Sequence, residues 1–268
     1  DQSTTLGWSF YGPVILFVLM ITLGVPVWVA IGASAIALLL WSGVLPMSLF
    51  GGSLFEGIDA FALTAVPLFI LTGDVLVRTG LSRKFMDVAE ALTNWTKSGF
   101  GSATVLVCGM FSAISGSDAA GAAAVGRMTI DRLVESGYPR PYACALVAAG
   151  ACTGILIPPS IAYIVIGLVL GISASTLFQA ALIPGLLILT GIFITNSWIN
   201  RRYAYEANIA ITGRAWLANV GQALKRGWYA FLVPGVIFVG IFSGNLTPTE
   251  AGATAVVITI IIGFIIGT

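Results

Sequence analysis

Histidine is absent from this chain, and charge is scarce: Asp, Glu, Lys and Arg make up only 9% of its 268 residues. Losing His removes the commonest general base, proton relay and metal ligand. A Ser-His dyad is therefore excluded, and the rest of the sequence points to no enzyme. Lysine is missing from every apolar run, and no pair of aspartates is spaced for an aspartyl mechanism. Cysteine is thin as well. Cys108, Cys144 and Cys152 all lie in apolar segments without a CxxC spacing, so they read as buried packing residues and report no redox compartment. A net charge of +1 says nothing about partners, and none made of nucleic acid is expected.

What is present is apolar. With 58% hydrophobic residues and a mean hydropathy of +1.01, the chain reads as an all-α polytopic membrane protein whose solvent is the lipid bilayer, since soluble domains carry about 25% charged residues. It begins at Asp1 and stops just after the apolar run 255–266, which reads as a piece of a longer chain; no cleavable signal peptide is visible. Apolar spans are expected over 10–23, 27–41 and 61–77. The first two are joined by Gly24-Val25-Pro26, too short for anything but a tight helical hairpin. Asp74 and Arg78 fit an i,i+4 ion pair at the end of the third. Residues 81–95 alternate apolar positions with Arg83, Lys84, Asp87 and Glu90, the pattern of an amphipathic helix on the membrane surface.

Cations set the topology. Arg83, Lys84 and Lys97, then Arg127, Arg132 and Arg140, then Arg201, Arg202, Arg214, Lys225 and Arg226 mark the cytoplasmic side, whereas 43–59, 171–175 and 243–250 contain no Lys or Arg. The N-terminus then lies outside. Between Lys97 and Arg127, both cytoplasmic, the apolar run is broken by Ser115-Gly116-Ser117-Asp118. From Asp118 to Arg127 there are nine steps, roughly 14 Å of helix against a hydrocarbon core of about 30 Å. Residues 100–126 are therefore expected to be a re-entrant hairpin whose polar tip stops inside the membrane. Polar groups at that depth are expensive and point to function.

Residues 142–170 would be one helix but for Gly154-Ile155-Leu156-Ile157-Pro158-Pro159-Ser160, where two prolines remove two amide donors. The carbonyls freed near Gly154, Ile157 and Pro159 are hard oxygen ligands at a half-helix C-terminus, suited to a cation. Hairpin hydroxyls and broken-helix carbonyls together make one plausible site. A further helix spans 177–199, 201–226 connects on the cytoplasmic side, and the last two spans lie within 227–268. Gly7-Trp8, Pro13 and Gly32-Ala33-Ser34-Ala35 return, at a nearly constant offset, as Gly227-Trp228, Pro234 and Gly252-Ala253-Thr254-Ala255. The opposite charge topology of the two copies suggests an inverted repeat, of which the chain holds the first and the start of the second.

The stretches FALTAVPLFILTGDVL (61–76), SGS (115–117), GILIPPSI (154–161) and LTPTEAGA (246–253) occur in order along nearly the whole chain. Together they resemble the large membrane subunit of TRAP transporters, the DctM-like family of the ion-transporter superfamily. That resemblance implies an elevator-type secondary transporter of a bacterial or archaeal cytoplasmic (inner) membrane, energised by Na+. It would import an organic acid, such as a dicarboxylate or sialic acid, delivered by a periplasmic substrate-binding protein (DctP-like). A small four-helix membrane subunit (DctQ-like) would accompany it. Residues 1–80 and 227–268 would be scaffold, 81–98 an interfacial helix and 99–200 half of a transport domain. By the same resemblance Ser115, Ser117, Gly154, Ile157 and Pro159 would hold a sodium ion, with Ser112, Thr153 and Asp118 as neighbours, and Ser115, Gly116, Ser117, Pro159 and Ser160 would face substrate. One position departs from the family, where the residue after SGS is small or uncharged. Here it is Asp118, which either ligates a cation or caps the returning helix. A proton-coupled or binding-protein-independent organic-anion transporter of the same superfamily is the alternative reading, and a channel or structural subunit is a third. A second hairpin and a second broken helix are expected beyond Thr268.

Overall fold

The computed structural model describes residues 6–42, 47–96, 98–206 and 213–266, and every element among them is helical. Lys97, one of the cations used for topology, lies outside them. Residues 1–60 and 61–268 form two separately packed units.

In the first unit, α1 (Leu6–Thr22) and α2 (Val27–Ser42) pack as a hairpin, followed by α3 (Met47–Ile58). Gly24 closes the turn at φ +79°, a left-handed geometry that glycine adopts without steric penalty. The amides of Leu23 and Gly24 donate to the carbonyls of Leu19 and Ile21, both at 3.0 Å.

The second unit opens with a tight 3-10 turn (Phe61–Thr64) leading into α4 (Ala65–Arg78), where the expected Arg78–Asp74 ion pair forms at 2.7 Å between exposed side chains. Next comes α5 (Leu81–Thr93), the amphipathic helix. Its apolar face is not left open to lipid: Phe85, Met86, Val88 and Ala89 are buried beneath α6 (Gly99–Ser115) and against the later amphipathic helix α12 (Gly213–Gly227). The hairpin consists of α6 and α7 (Asp118–Glu135), so its returning limb continues well past Gly126. Arg132, in that extension, reaches Glu90 of α5 at 2.8 Å.

The broken helix is built of α8 (Arg140–Ala151), the single turn α9 (Thr153–Leu156) and α10 (Ile161–Leu170), with extended backbone at Ile157 and Ser160 between them. The prolines do what their chemistry requires, although the helix already interrupts at Cys152. Then follow α11 (Ala174–Tyr203), longer at both ends than its apolar core, then α12, α13 (Leu232–Phe242) and α14 (Pro248–Ile266). The last two form a second hairpin whose turn repeats the first. Gly244 has φ +75°, and the amides of Ser243 and Gly244 donate to the carbonyls of Val239 and Ile241 at 3.0 and 3.1 Å. These four positions follow Leu23, Gly24, Leu19 and Ile21 at one common offset, the same that separates Gly227 from Gly7.

Among the described residues four helical stretches are long and apolar enough to cross a membrane: Phe61–Arg78, Ala174–Tyr203, Gly213–Phe242 and Pro248–Ile266. The cysteines do not all pack inside as expected. Cys108 is buried, but Cys144 and Cys152 are exposed, because the segments carrying them present their apolar residues outward as well as inward.

Candidate functional site

The hairpin tip and the helix break meet. Gly116, at φ +62°, lets the chain reverse between α6 and α7, and its carbonyl accepts the Ile161 amide at 3.3 Å. A Cβ on Gly116 would lie 2.7 Å from the Pro159 carbonyl oxygen; one on Gly154 would lie 2.8 Å from the Asp118 amide nitrogen. Both glycines are therefore where backbone touches backbone, a closeness no side chain permits. Ser115, Ser117, Gly154, Pro159 and Ser160 are thus brought to one place. Ile157 is buried in the extended segment beside them.

Two further glycines hold this arrangement, and the sequence reading missed their part in it. Gly73 of α4 sits against Ser115, where a Cβ would come within 3.2 Å of the Ser115 Cβ. Gly185 of α11 lies against the Leu156 carbonyl, which a Cβ would approach to 3.2 Å. Gly73 lies inside LTGD and Gly185 follows Pro184, and nothing local in the sequence marks either as a partner of the tip.

Each polar group at the tip has a local role except one. Ser117 is the N-cap of α7, its Oγ accepting the Ala120 amide at 3.4 Å. The capping role expected of Asp118 therefore falls to its neighbour. Asp118 is the first helical residue, and its Oδ1 accepts the Ala119 amide at 2.8 Å, a favourable place for a carboxylate at the positive end of the helix dipole. Ser115 Oγ donates to the Ser117 carbonyl at 3.4 Å, and Thr153 Oγ1 donates to the Gly150 carbonyl at 2.6 Å. The side chain of Ser112 lies outside what the structure describes. Ser160 Oγ is the exception: it is fully buried and has no hydrogen-bond partner among the described residues. Such a hydroxyl costs roughly 1–3 kcal/mol unless something else satisfies it.

Backbone carbonyls and hydroxyls are the chemistry on offer. No group of three or more Cys, Asp and Glu residues able to hold a metal occurs among the described residues; the oxygens that are present are hard donors.

The base of the hairpin is fixed by a second polar cluster, which the sequence reading also did not find. Glu206, just past α11, accepts the Phe100 amide at 2.8 Å through Oε1 and the Tyr138 hydroxyl at 3.1 Å through Oε2. It therefore ties the start of α6 and the α7–α8 turn to the end of α11. Burial, reinforced by the Glu206 carboxylate, pushes the Tyr138 phenol well above its ordinary range. Glu206 is the only acid between residues 201 and 226, and that isolation was its signal.

A helical hairpin whose tip is seated on a broken helix, in an all-helical chain with several apolar spans, belongs to a multi-pass membrane protein. The family described as "Tripartite ATP-independent periplasmic transporter, DctM component" matches residues 14–268, and the chain belongs to that family. It is 33% identical over 247 residues to the isethionate TRAP transporter permease protein DctMQ of Oleidesulfovibrio alaskensis, covering 92% of this chain and 38% of that protein. It is 37% identical over 204 residues to the C4-dicarboxylate TRAP transporter large permease protein DctM of Pseudomonas aeruginosa (76% and 47%). With the sialic acid large permease protein SiaM of Vibrio cholerae it shares 30% over 243 residues (91% and 56%). The chain spans about half the length of the curated relatives it matches. These relatives are transporter permeases by name and not enzymes.

Proposed function

We propose that this chain is the first repeat, and the opening of a second, in the large membrane subunit of a sodium-coupled transporter that imports an organic acid across the cytoplasmic membrane. The observation that carries the reading is the meeting of the SGS tip with the Pro158-Pro159 break, where carbonyls of extended backbone lie beside a buried hydroxyl, Ser160 Oγ, that lacks a partner among the described residues. Ser115, Ser117, Gly154, Ile157 and Pro159 would supply oxygens to Na+, with Thr153, Ser112 and Asp118 nearby. Gly116, Pro159 and Ser160 would border the substrate. A bound sodium would supply fixed positive charge where a substrate carboxylate arrives.

The repeated hairpin turn, with matching hydrogen bonds at Gly24 and Gly244, supports a second copy beginning near Gly227. Inverted repeats place broken elements of both copies around one site and allow alternating access. In that scheme residues 99–200 move as half of an elevator against scaffold helices. The relatives are named for isethionate, C4-dicarboxylates and sialic acid, all of them acids. The tripartite family description supports delivery by a periplasmic binding protein and help from a small membrane subunit. In proteoliposomes the intact transporter should take up its acid only with an inward Na+ gradient and with its binding protein. Uptake driven equally by a proton gradient, or indifferent to the binding protein, would select the alternative transporter of the same superfamily.

A further inference from the structure

A cavity of about 530 Å³ lies where the α5–α6 turn meets the end of α11, lined among others by Trp95, Thr96, Ser98, Ser197, Trp198 and Arg201. It is remote in sequence from the hairpin tip. We propose that it binds the headgroup of an anionic phospholipid of the cytoplasmic leaflet.

Position is the first ground. At 1.5 Å per residue the 30-residue α11 is about 45 Å long, against a core of about 30 Å, so its Arg201 end emerges at an interface. Trp95 and Trp198 are each 65% exposed beside the cavity, the placement of aromatic residues that sit at headgroup level. Ile183, Leu187 and Ile194 are exposed on α11 below Trp198, at spacings that keep them on one helical face and provide a track for an acyl chain.

Polar chemistry is the second. Among the described residues Arg201 forms no ion pair, so its cation is available. A hydrogen-bond chain also ends here. The Tyr142 hydroxyl donates to Asn196 Oδ1 at 3.0 Å, and Asn196 Nδ2 donates to Ser102 Oγ at 3.3 Å. Ser102 Oγ lies 2.7 Å from Ser98 Oγ, which lies 3.1 Å from Ser197 Oγ. Ser102 Oγ also lies 3.5 Å from Ser197 Oγ, so the three hydroxyls form a closed cluster in the cavity wall, and each can donate or accept. A cation and a serine hydroxyl cluster between two tryptophans are complementary to a phosphodiester, an acceptor with no proton to give. The lipid would bridge α5, the hairpin base and α11.

The test is native mass spectrometry of the intact protein titrated with phosphatidylglycerol or phosphatidylcholine. Phosphatidylglycerol should be retained more tightly, and Arg201→Gln should weaken it about fivefold, Ser197→Ala in the same direction. Arg201→Lys should stay close to wild type, as should Arg214→Gln, whose side chain is not among those lining the cavity. Equal retention of the two lipids, an unchanged Arg201→Gln, or displacement by equimolar inorganic phosphate would overturn the proposal. So would an Arg201→Gln variant that keeps its lipid and loses the small membrane subunit, which would make the face a protein interface.

Discussion

At the scale of single residues the tip depends on hydrogen atoms in place of side chains. Gly116→Ala and Gly171→Ala put the same residue at nearly the same positive φ, +62° and +66°, and each should lose about 1–2 kcal/mol from conformation alone. Gly171 has open space around it, whereas Gly116 has the Pro159 carbonyl oxygen. Thermal unfolding should therefore fall further for Gly116→Ala; equal losses would mean that the tip and break do not press together. Asp118→Asn removes a charge from the α7 N-terminus and should cost about 0.3–1 kcal/mol, with sodium affinity intact if the carboxylate serves only its helix. A sodium affinity reduced tenfold in that variant would make Asp118 a ligand.

Among elements, the hairpin is held at both ends, by glycine contacts at the tip and by Glu206 at the base. Glu206→Ala would strand the Phe100 amide and take the acceptor from the Tyr138 O–H, a loss of roughly 1–3 kcal/mol. Hydrogen exchange at the first turn of α6 should rise with it, and unchanged exchange would show that the base is fixed elsewhere. Tyr138 adds a pH dependence. Its folded-state phenol is raised above the ordinary 10.0, so the folded protein holds a proton that the unfolded chain releases. That stability is complete below pH 10 and is lost as pH climbs further; Tyr138→Phe should flatten the alkaline decline in denaturation experiments. The break at Pro158-Pro159 and the reversal at Gly116 were legible in sequence, because proline and glycine act locally. The partners of the tip were not: Gly73 and Gly185 lie on other helices, far along the chain from Ser115 and Leu156, and only tertiary packing gives them meaning. The amphipathic period of α5 was legible, but periodicity cannot say whether the apolar face meets lipid or another helix, and α12 covers it. The length of α7 was not legible either, because a lone cation such as Arg127 looks like the end of a limb. The helix simply carries it onward and pairs Arg132 with Glu90.

For the whole molecule, composition gave the solvent, four co-linear motifs gave the family, and the repeated turn at Gly24 and Gly244 supports a two-copy architecture. Among the described residues the polar-tipped hairpin and the helix break each occur once, and under the proposed two-copy architecture their site is half of a pair. Its central claim is that this tip and this break bind sodium. The most direct measurement is the thermal stability of the intact permease titrated with NaCl against KCl at constant ionic strength, in wild type and in Ser117→Ala and Gly154→Ala. Sodium, and not potassium, should raise the melting temperature, with the titration midpoint moved at least about tenfold in both variants, the shift expected when about 1.4 kcal/mol of ion binding is lost. Identical curves for the two salts, or variants that titrate like wild type, would contradict the account.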